Sequence, residues 1–119
     1  MKSSEFRDLK VWQKAMDLAE EVYILVKYLP REETYSLSDQ MRRAAISIPS
    51  NIAEGQGRIT TKEFIRFLSM ARGSLWELST QIELCERLHF LNKSQTKNAS
   101  MLITEVAKML NALSNAISD

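Results

Sequence analysis

Apolar residues recur along this chain at alternating intervals of three and four, in four stretches separated by polar or proline-containing segments. This spacing gathers apolar side chains on one face of an α-helix. The first stretch begins at about Phe6 or Leu9 and reaches Tyr28. Pro30 ends it, because proline lacks an amide proton and disfavours helix in the residue before it. Its expected inward face comprises Leu9, Trp12, Met16, Ala19, Tyr23 and Val26.

The second stretch begins near Ser38 and contains Pro49 in its middle. An internal proline removes a helical hydrogen bond, so we expect a kink or a break within residues 47–51. Gly55 and Gly57 follow, and we expect them to adopt the left-handed conformation in which helices often end. The expected apolar face comprises Leu37, Met41, Ala44, Ala45, Ile48 and Ile52.

The third stretch has the most regular pattern. Thr60 and Glu63 have the spacing of a capping box, and a helix that reaches Leu88 would be about 42 Å long. Gly73 lies in mid-helix, where glycine costs about 1 kcal/mol relative to alanine. This indicates close approach of another helix, and a functional hinge is the alternative. Residues 92–94 then turn the chain into a fourth helix. The expected core positions are Phe64, Leu68, Ala71, Leu75, Leu78, Ile82 and Cys85, then Ala99, Leu102, Val106, Met109, Leu113 and Ile117.

Short connections between long amphipathic helices favour antiparallel neighbours. The composition agrees, because three glycines and two prolines leave little material for the turns of a β-sandwich or barrel. A chain of 119 residues is long enough to bury a core without disulfides or a metal. We therefore expect an all-α protein, an antiparallel up-down-up-down four-helix bundle that forms one domain over residues 1–119.

Two helices carry more apolar surface than a bundle needs. Beside its main face, the first helix has a second row formed by Val11, Leu18 and Leu25, and the third helix carries Ile65 and Trp76 outside its core row. One interpretation is a compact monomer in which loops cover these residues. The other is that all five lie at a subunit interface, which we favour because soluble monomers rarely expose a large apolar patch.

The net charge of +1 gives no overall attraction for nucleic acid or an anionic membrane. Residues 40–72, however, hold six basic and two acidic residues, a local excess of four positive charges. The start of the third helix also offers unpaired amides to an anion. We therefore expect that phosphates of RNA or DNA could contact Arg42, Arg43, Arg58, Lys62 and Arg66. The alternative is a solvated turn with intrahelical ion pairs, which the spacing alone favours.

Nothing in the sequence predicts an enzyme, a cofactor or a metal. His89 is the only histidine and Cys85 the only cysteine, so a typical zinc site cannot be assembled. The glycines at positions 55 and 57 follow a helix rather than a strand, and their match to a phosphate-binding loop is weak. Residues 1–8 lack the apolar run of a signal peptide, and no stretch approaches the length of a membrane span. We expect a cytoplasmic protein with no membrane partner.

The polar side chains around the internal proline have two interpretations. Ser47, Asn51 and Glu54 can satisfy backbone groups that Pro49 leaves free, which is the structural interpretation. The functional alternative is a polar site at the kink.

Several blocks of the chain resemble one known family. Residues 6–12, the Gln-Met-Arg-Arg-Ala-Ala block at 40–45, the Ser-Ile-Pro-Ser-Asn-Ile-Ala-Glu-Gly block at 47–55 and residues 73–78 are similar to bacterial four-helix bundle proteins of the 23S rRNA intervening-sequence type, also called S23 ribosomal protein-like. The resemblance covers nearly the whole chain. The family motif residues are Ser47, Pro49, Asn51, Glu54 and Gly55, accompanied by Arg42, Arg43 and Arg58.

This resemblance implies a ring-like homopentamer without catalytic residues. It also implies an association with RNA, because some members are encoded inside insertions in 23S rRNA genes. A group similar in fold, the accessory variability proteins of diversity-generating retroelements, works with a reverse transcriptase and its template RNA. The alternative function is a protein-interaction scaffold for a nucleic-acid-processing partner.

Overall fold

The computed structural model describes residues 5–118. Four long helices account for most of them: α1, Lys10–Leu25; α2, Leu37–Gln56; α3, Thr61–Arg87; and α4, Lys93–Ile117. Short 3-10 helices precede α1 and occupy the α1–α2 connection, at Phe6–Asp8, Val26–Tyr28 and Arg31–Glu33. Residues 1–4 lie outside the described range. They belong to the segment in which the sequence predicts no signal peptide.

The four helices surround one core in antiparallel order. Helices α2 and α3 are antiparallel, because later residues of α2 contact earlier residues of α3. Met41 Sδ lies 3.6 Å from Cys85 Sγ, whereas Ser47 Oγ lies 2.7 Å from Ser74 Oγ. Both α1 and α3 pack against α2 and α4. The expected all-α four-helix bundle is confirmed.

The inward face of the first helix is only partly the predicted one, because Val26 is buried and Leu9, Trp12 and Ala19 pack against the core at its edge. The row that contains Val11, Leu18 and Leu25 is buried in the core of the bundle, whereas Met16 and Tyr23 are 37% and 44% exposed. The prediction that the first three residues form a subunit interface is therefore wrong. The buried row is wholly aliphatic, whereas burial of a tyrosine requires a partner for its hydroxyl. The full buried row comprises Val11, Ala15, Leu18, Val22, Leu25 and Leu29.

The other two predicted interface residues lie outside the core of the chain. Trp76 is 50% exposed and Ile65 is half-buried. Their role at a subunit interface stays a prediction.

Helix α2 continues through Pro49, so the expected break does not occur, while the kink stays a prediction. The expected left-handed glycines do not occur either, because Gly57 has a φ of −82° and no described glycine has a positive φ. Instead, the chain leaves α2 through a tight turn in which the Gly57 amide donates to the Glu54 carbonyl.

Two expectations for α3 also need correction. Thr60 caps the helix by accepting the Glu63 amide at 3.1 Å, but the Glu63 carboxylate pairs with Arg66, and the full capping box is at the start of α4. At Gly73, an added Cβ would have no heavy atom within 4 Å, so no helix of this chain approaches there. The close approach occurs at Gly55, where an added Cβ would lie 2.8 Å from the Cβ of Phe67.

The end of α3 is closed by a residue in the left-handed region. His89 has a φ of 64°, its amide donates to the Glu86 carbonyl, and the Phe90 amide donates to the Cys85 carbonyl. These two bonds form a Schellman motif, in which this position is normally glycine. We expect His89→Gly to raise the free energy of unfolding by about 1 kcal/mol, because it removes the Cβ penalty of the left-handed conformation. Urea denaturation measures this change.

The matched control for this prediction is Leu88→Gly, one residue earlier, where φ is −82°. There, glycine relieves no strain and removes a side chain, so stability falls. Equal losses from the two substitutions would contradict the prediction.

Candidate nucleic-acid interface

The connection between α2 and α3 forms a corner that is fixed by close packing. Gly55 is buried at the end of α2, and only its hydrogen leaves room for Phe67 of α3. Phe67 is 5% exposed. Sequence periodicity assigns the neighbouring positions Phe64 and Leu68 to the core and gives no sign that the Phe67 ring has a separate role.

Two arginines lie over this one ring. The guanidinium carbon of Arg58 is 4.6 Å from the centroid of Phe67, and that of Arg66 is 5.1 Å from it. Such cation–π contacts are worth about 0.5–1 kcal/mol at exposed sites, and they restrict where the guanidinium groups lie. The ring therefore holds a cation from the α2–α3 connection close to a cation from α3.

Each arginine also pairs with a carboxylate three or four residues earlier in the chain. Nη2 of Arg58 lies 2.8 Å from Oε2 of Glu54, and Nη2 of Arg66 lies 3.6 Å from Oε1 of Glu63. Exposed pairs of this kind contribute about 0–1 kcal/mol, so a stronger anionic ligand can displace the carboxylates. Lys62, one turn before Arg66, makes no ion pair or hydrogen bond within residues 5–118. Arg58, Lys62 and Arg66 are called the basic corner below.

The start of α3 adds backbone donors to the basic corner. Thr60 satisfies the Glu63 amide, while the amides of the first turn have no helical acceptor. These amides and the helix dipole favour a negative group at this position. The basic corner thus combines guanidinium forks, one free ammonium group and exposed amides, which are the donors that bind phosphate oxygens.

The structure does not bring all five predicted contact residues together. Arg58 follows the end of α2 at Gln56, and Arg42 lies 14 residues before that end, which corresponds to about 21 Å along the helix. Its guanidinium donates to the Thr34 carbonyl at 3.2 Å, and Arg43 pairs with Asp39 at 3.2 Å. The predicted basic surface on α2 and α3 is therefore divided between opposite ends of the bundle.

The family motif lies along the contact between α2 and α3. Asn51 donates to the carbonyl and the hydroxyl of Ser47, at 2.9 and 3.0 Å, and that hydroxyl pairs with Ser74 of α3. Pro49 and Gly55 are buried, and only Glu54 is exposed. These contacts agree with the structural interpretation of the polar residues, because they join two helices and satisfy backbone groups.

The remaining candidate groups do not form a reactive site. Burial, together with the carboxylates of Glu33 and Glu86, raises the pKa of the Cys85 thiol to about 11, so it stays protonated at neutral pH. The described part of the chain contains no group of three or more His, Cys, Asp or Glu residues that could hold a metal ion. Within the same residues, no helix is both long enough and apolar enough to cross a bilayer.

Comparison with known proteins decides the family. The model of the family described as 23S rRNA-intervening sequence protein matches residues 7–112. The chain belongs to the 23S rRNA-intervening sequence protein family. The resemblance that the motifs indicate is thereby confirmed.

The fold of this chain is similar to that of a solved structure. That structure is the crystal structure, at 1.70 Å resolution, of a protein with unknown function from the S23 ribosomal protein family of Bacteroides thetaiotaomicron VPI-5482. The TM-score is 0.80 and the sequence identity 27%, and the match covers 87% of this chain and 97% of the other. The comparison with curated proteins gives no match.

Proposed function

We propose that this protein is a non-enzymatic homo-oligomer that binds the phosphate backbone of RNA or DNA through the basic corner. The observation that carries the proposal is the stacking of Arg58 and Arg66 on Phe67. The pentameric ring that the family resemblance implies is the proposed assembly. Exposed apolar side chains such as Met16 and Trp76 support an oligomer, because they form surface that a monomer leaves in water.

Binding at the basic corner is expected to be weak and independent of base sequence. Three cations face two carboxylates there, so the net local charge is small, and none of the groups is arranged to read a base edge. Phosphate can compete with Glu54 and Glu63 because it too accepts two bonds from one guanidinium fork, and each exposed ion pair that it replaces is worth only about 0–1 kcal/mol. Repetition of the corner around an oligomer would add avidity without new contacts.

We expect the double substitution Arg58→Ala and Arg66→Ala to weaken RNA binding about tenfold at low salt, because two charge-assisted contacts are lost. Fluorescence anisotropy with a short single-stranded RNA measures the affinity. The slope of log K against log salt should also become shallower by about 1.4, since each single-strand phosphate contact contributes about 0.7.

The matched control is Arg43→Ala, which removes an arginine at the far end of α2. It should leave the affinity within about twofold, because one lost non-specific charge has a small effect. Wild-type affinity in the double variant, or an equal loss in the control, would remove the basic corner as the binding site. Either result would favour the alternative function, a protein-interaction scaffold.

A further inference from the structure

An open groove runs between α3 and α4 on the side of the bundle away from α1. Its volume is about 700 Å³. The groove exists because α3 and α4 present small side chains to each other, including Ser79, Ser100 and Ala107. Its apolar lining includes Trp76, which is 50% exposed, and Met101, which is 56% exposed.

The border of this groove carries positive charge that the chain itself does not neutralise. On the α3 side, Glu86 accepts bonds from Thr96 at 2.7 Å and Lys93 at 3.1 Å, and Glu83 pairs with Arg87 at 2.9 Å. Those carboxylates are therefore already balanced. On the α4 side, neither Lys97 nor Lys108 makes an ion pair or hydrogen bond with any described residue. This α3–α4 surface is called the lysine groove below.

The side of α1 that borders α4 has the opposite charge. Asp17, Glu20 and Glu21 form no ion pair or hydrogen bond in the described part of the chain, and the nearby Lys14 is held by Glu105 of α4 at 3.5 Å. Ile24 follows one turn later and is 50% exposed. These four residues, Asp17, Glu20, Glu21 and Ile24, are called the acidic ridge.

We propose that the acidic ridge of one copy docks into the lysine groove of the next copy. The inference rests on the proposed homo-oligomer and names the surfaces that form it. Three unpaired acids on the α1–α4 side of the bundle match two unpaired lysines beside the α3–α4 groove, and Ile24 supplies an apolar contact for Trp76. Complementary charge of this kind fixes register and partner orientation.

The spacing of the charges permits this contact. Lys97 and Lys108 are 11 residues apart, about 16 Å along α4, whereas Asp17 and Glu21 span about 6 Å of α1. In the proposed complex, the long side chains of the two lysines lean inward from both ends to close this difference. The ridge borders the α1–α4 side and the groove lies on the α3–α4 side, so the two surfaces differ. The contact is therefore heterologous, and repetition of such a contact generates a ring when the rotation closes.

Charge reversal tests the proposal by multi-angle light scattering of the full chain. We expect the wild type to assemble, and Lys97→Glu with Lys108→Glu, or Asp17→Lys with Glu20→Lys, to shift the mass towards the 13.7 kDa monomer. All four substitutions in one chain should restore the wild-type mass, because both surfaces are then reversed. That variant has the wild-type net charge, so restoration cannot come from a change in overall charge.

Two further variants complete the test. Ile24→Arg should also dissociate the assembly, while Lys10→Glu with Lys27→Glu, which changes the net charge as much as the lysine-groove variant does, should not. Far-UV circular dichroism checks that each variant remains helical. If the wild type assembles but neither double reversal changes its mass, the docking surfaces are wrong and the proposed oligomer stands. A monomeric wild type would overturn both the proposed docking surfaces and the proposed oligomer. RNA binding at the basic corner would still be measured separately.

Discussion

Leu18→Ala is expected to lower the free energy of unfolding by about 2–5 kcal/mol, the usual effect of removing a fully buried leucine side chain. Leu18 is 0% exposed in the core of the bundle. At a subunit interface, the same substitution would change the mass of the assembly and leave the fold of each chain largely intact. Urea denaturation and light scattering on the same samples therefore separate the two roles.

The matched control is Met16→Ala on the same helix. Met16 belongs to the row that periodicity assigns to the core, yet it is 37% exposed in the structure. We expect its loss to change stability by no more than about 0.5 kcal/mol, the usual range for a surface substitution. A larger loss of stability from Met16→Ala than from Leu18→Ala would show that the row containing Met16 faces the core instead of the row containing Leu18.

The contrast between α1 and α3 shows what periodicity can predict. In α3, one apolar row is flanked by polar residues, and the core prediction from Leu68 to Cys85 is confirmed. In α1, two apolar rows lie side by side, and a spacing of three and four residues is satisfied by both. The choice depends on which side chains can lose water completely, and the aliphatic row containing Leu18 meets that condition better than the row containing Tyr23.

The basic corner could be predicted only in part. Arg58, Lys62 and Arg66 are close in sequence, across one tight turn, so local spacing finds them. Counting charges over residues 40–72 also included Arg42 and Arg43, because such a count ignores the distance that a long helix puts between its two ends. The Phe67 ring could not be found this way, since its role depends on a contact between helices that Gly55 makes possible.

Gly55→Ala provides the second large expected effect, a loss of about 1–3 kcal/mol in the free energy of unfolding, because extra volume is forced into a packed contact. The new Cβ would lie 2.8 Å from the Cβ of Phe67 and 3.0 Å from Cδ1 of Phe64. The Phe64 ring can rotate, but the Cβ of Phe67 moves only with the backbone of α3. The helices must therefore separate at the corner.

Gly73→Ala is the matched control, because it makes the same chemical change in a helix where the new Cβ meets nothing within 4 Å. Both substitutions gain the helix propensity of alanine, up to about 1 kcal/mol. The difference between their measured stabilities therefore isolates the packing cost at Gly55. Stabilisation at both positions would show that α2 and α3 tolerate separation. If the Gly55 variant instead loses stability and RNA affinity together, the close helix contact also positions the arginines over Phe67.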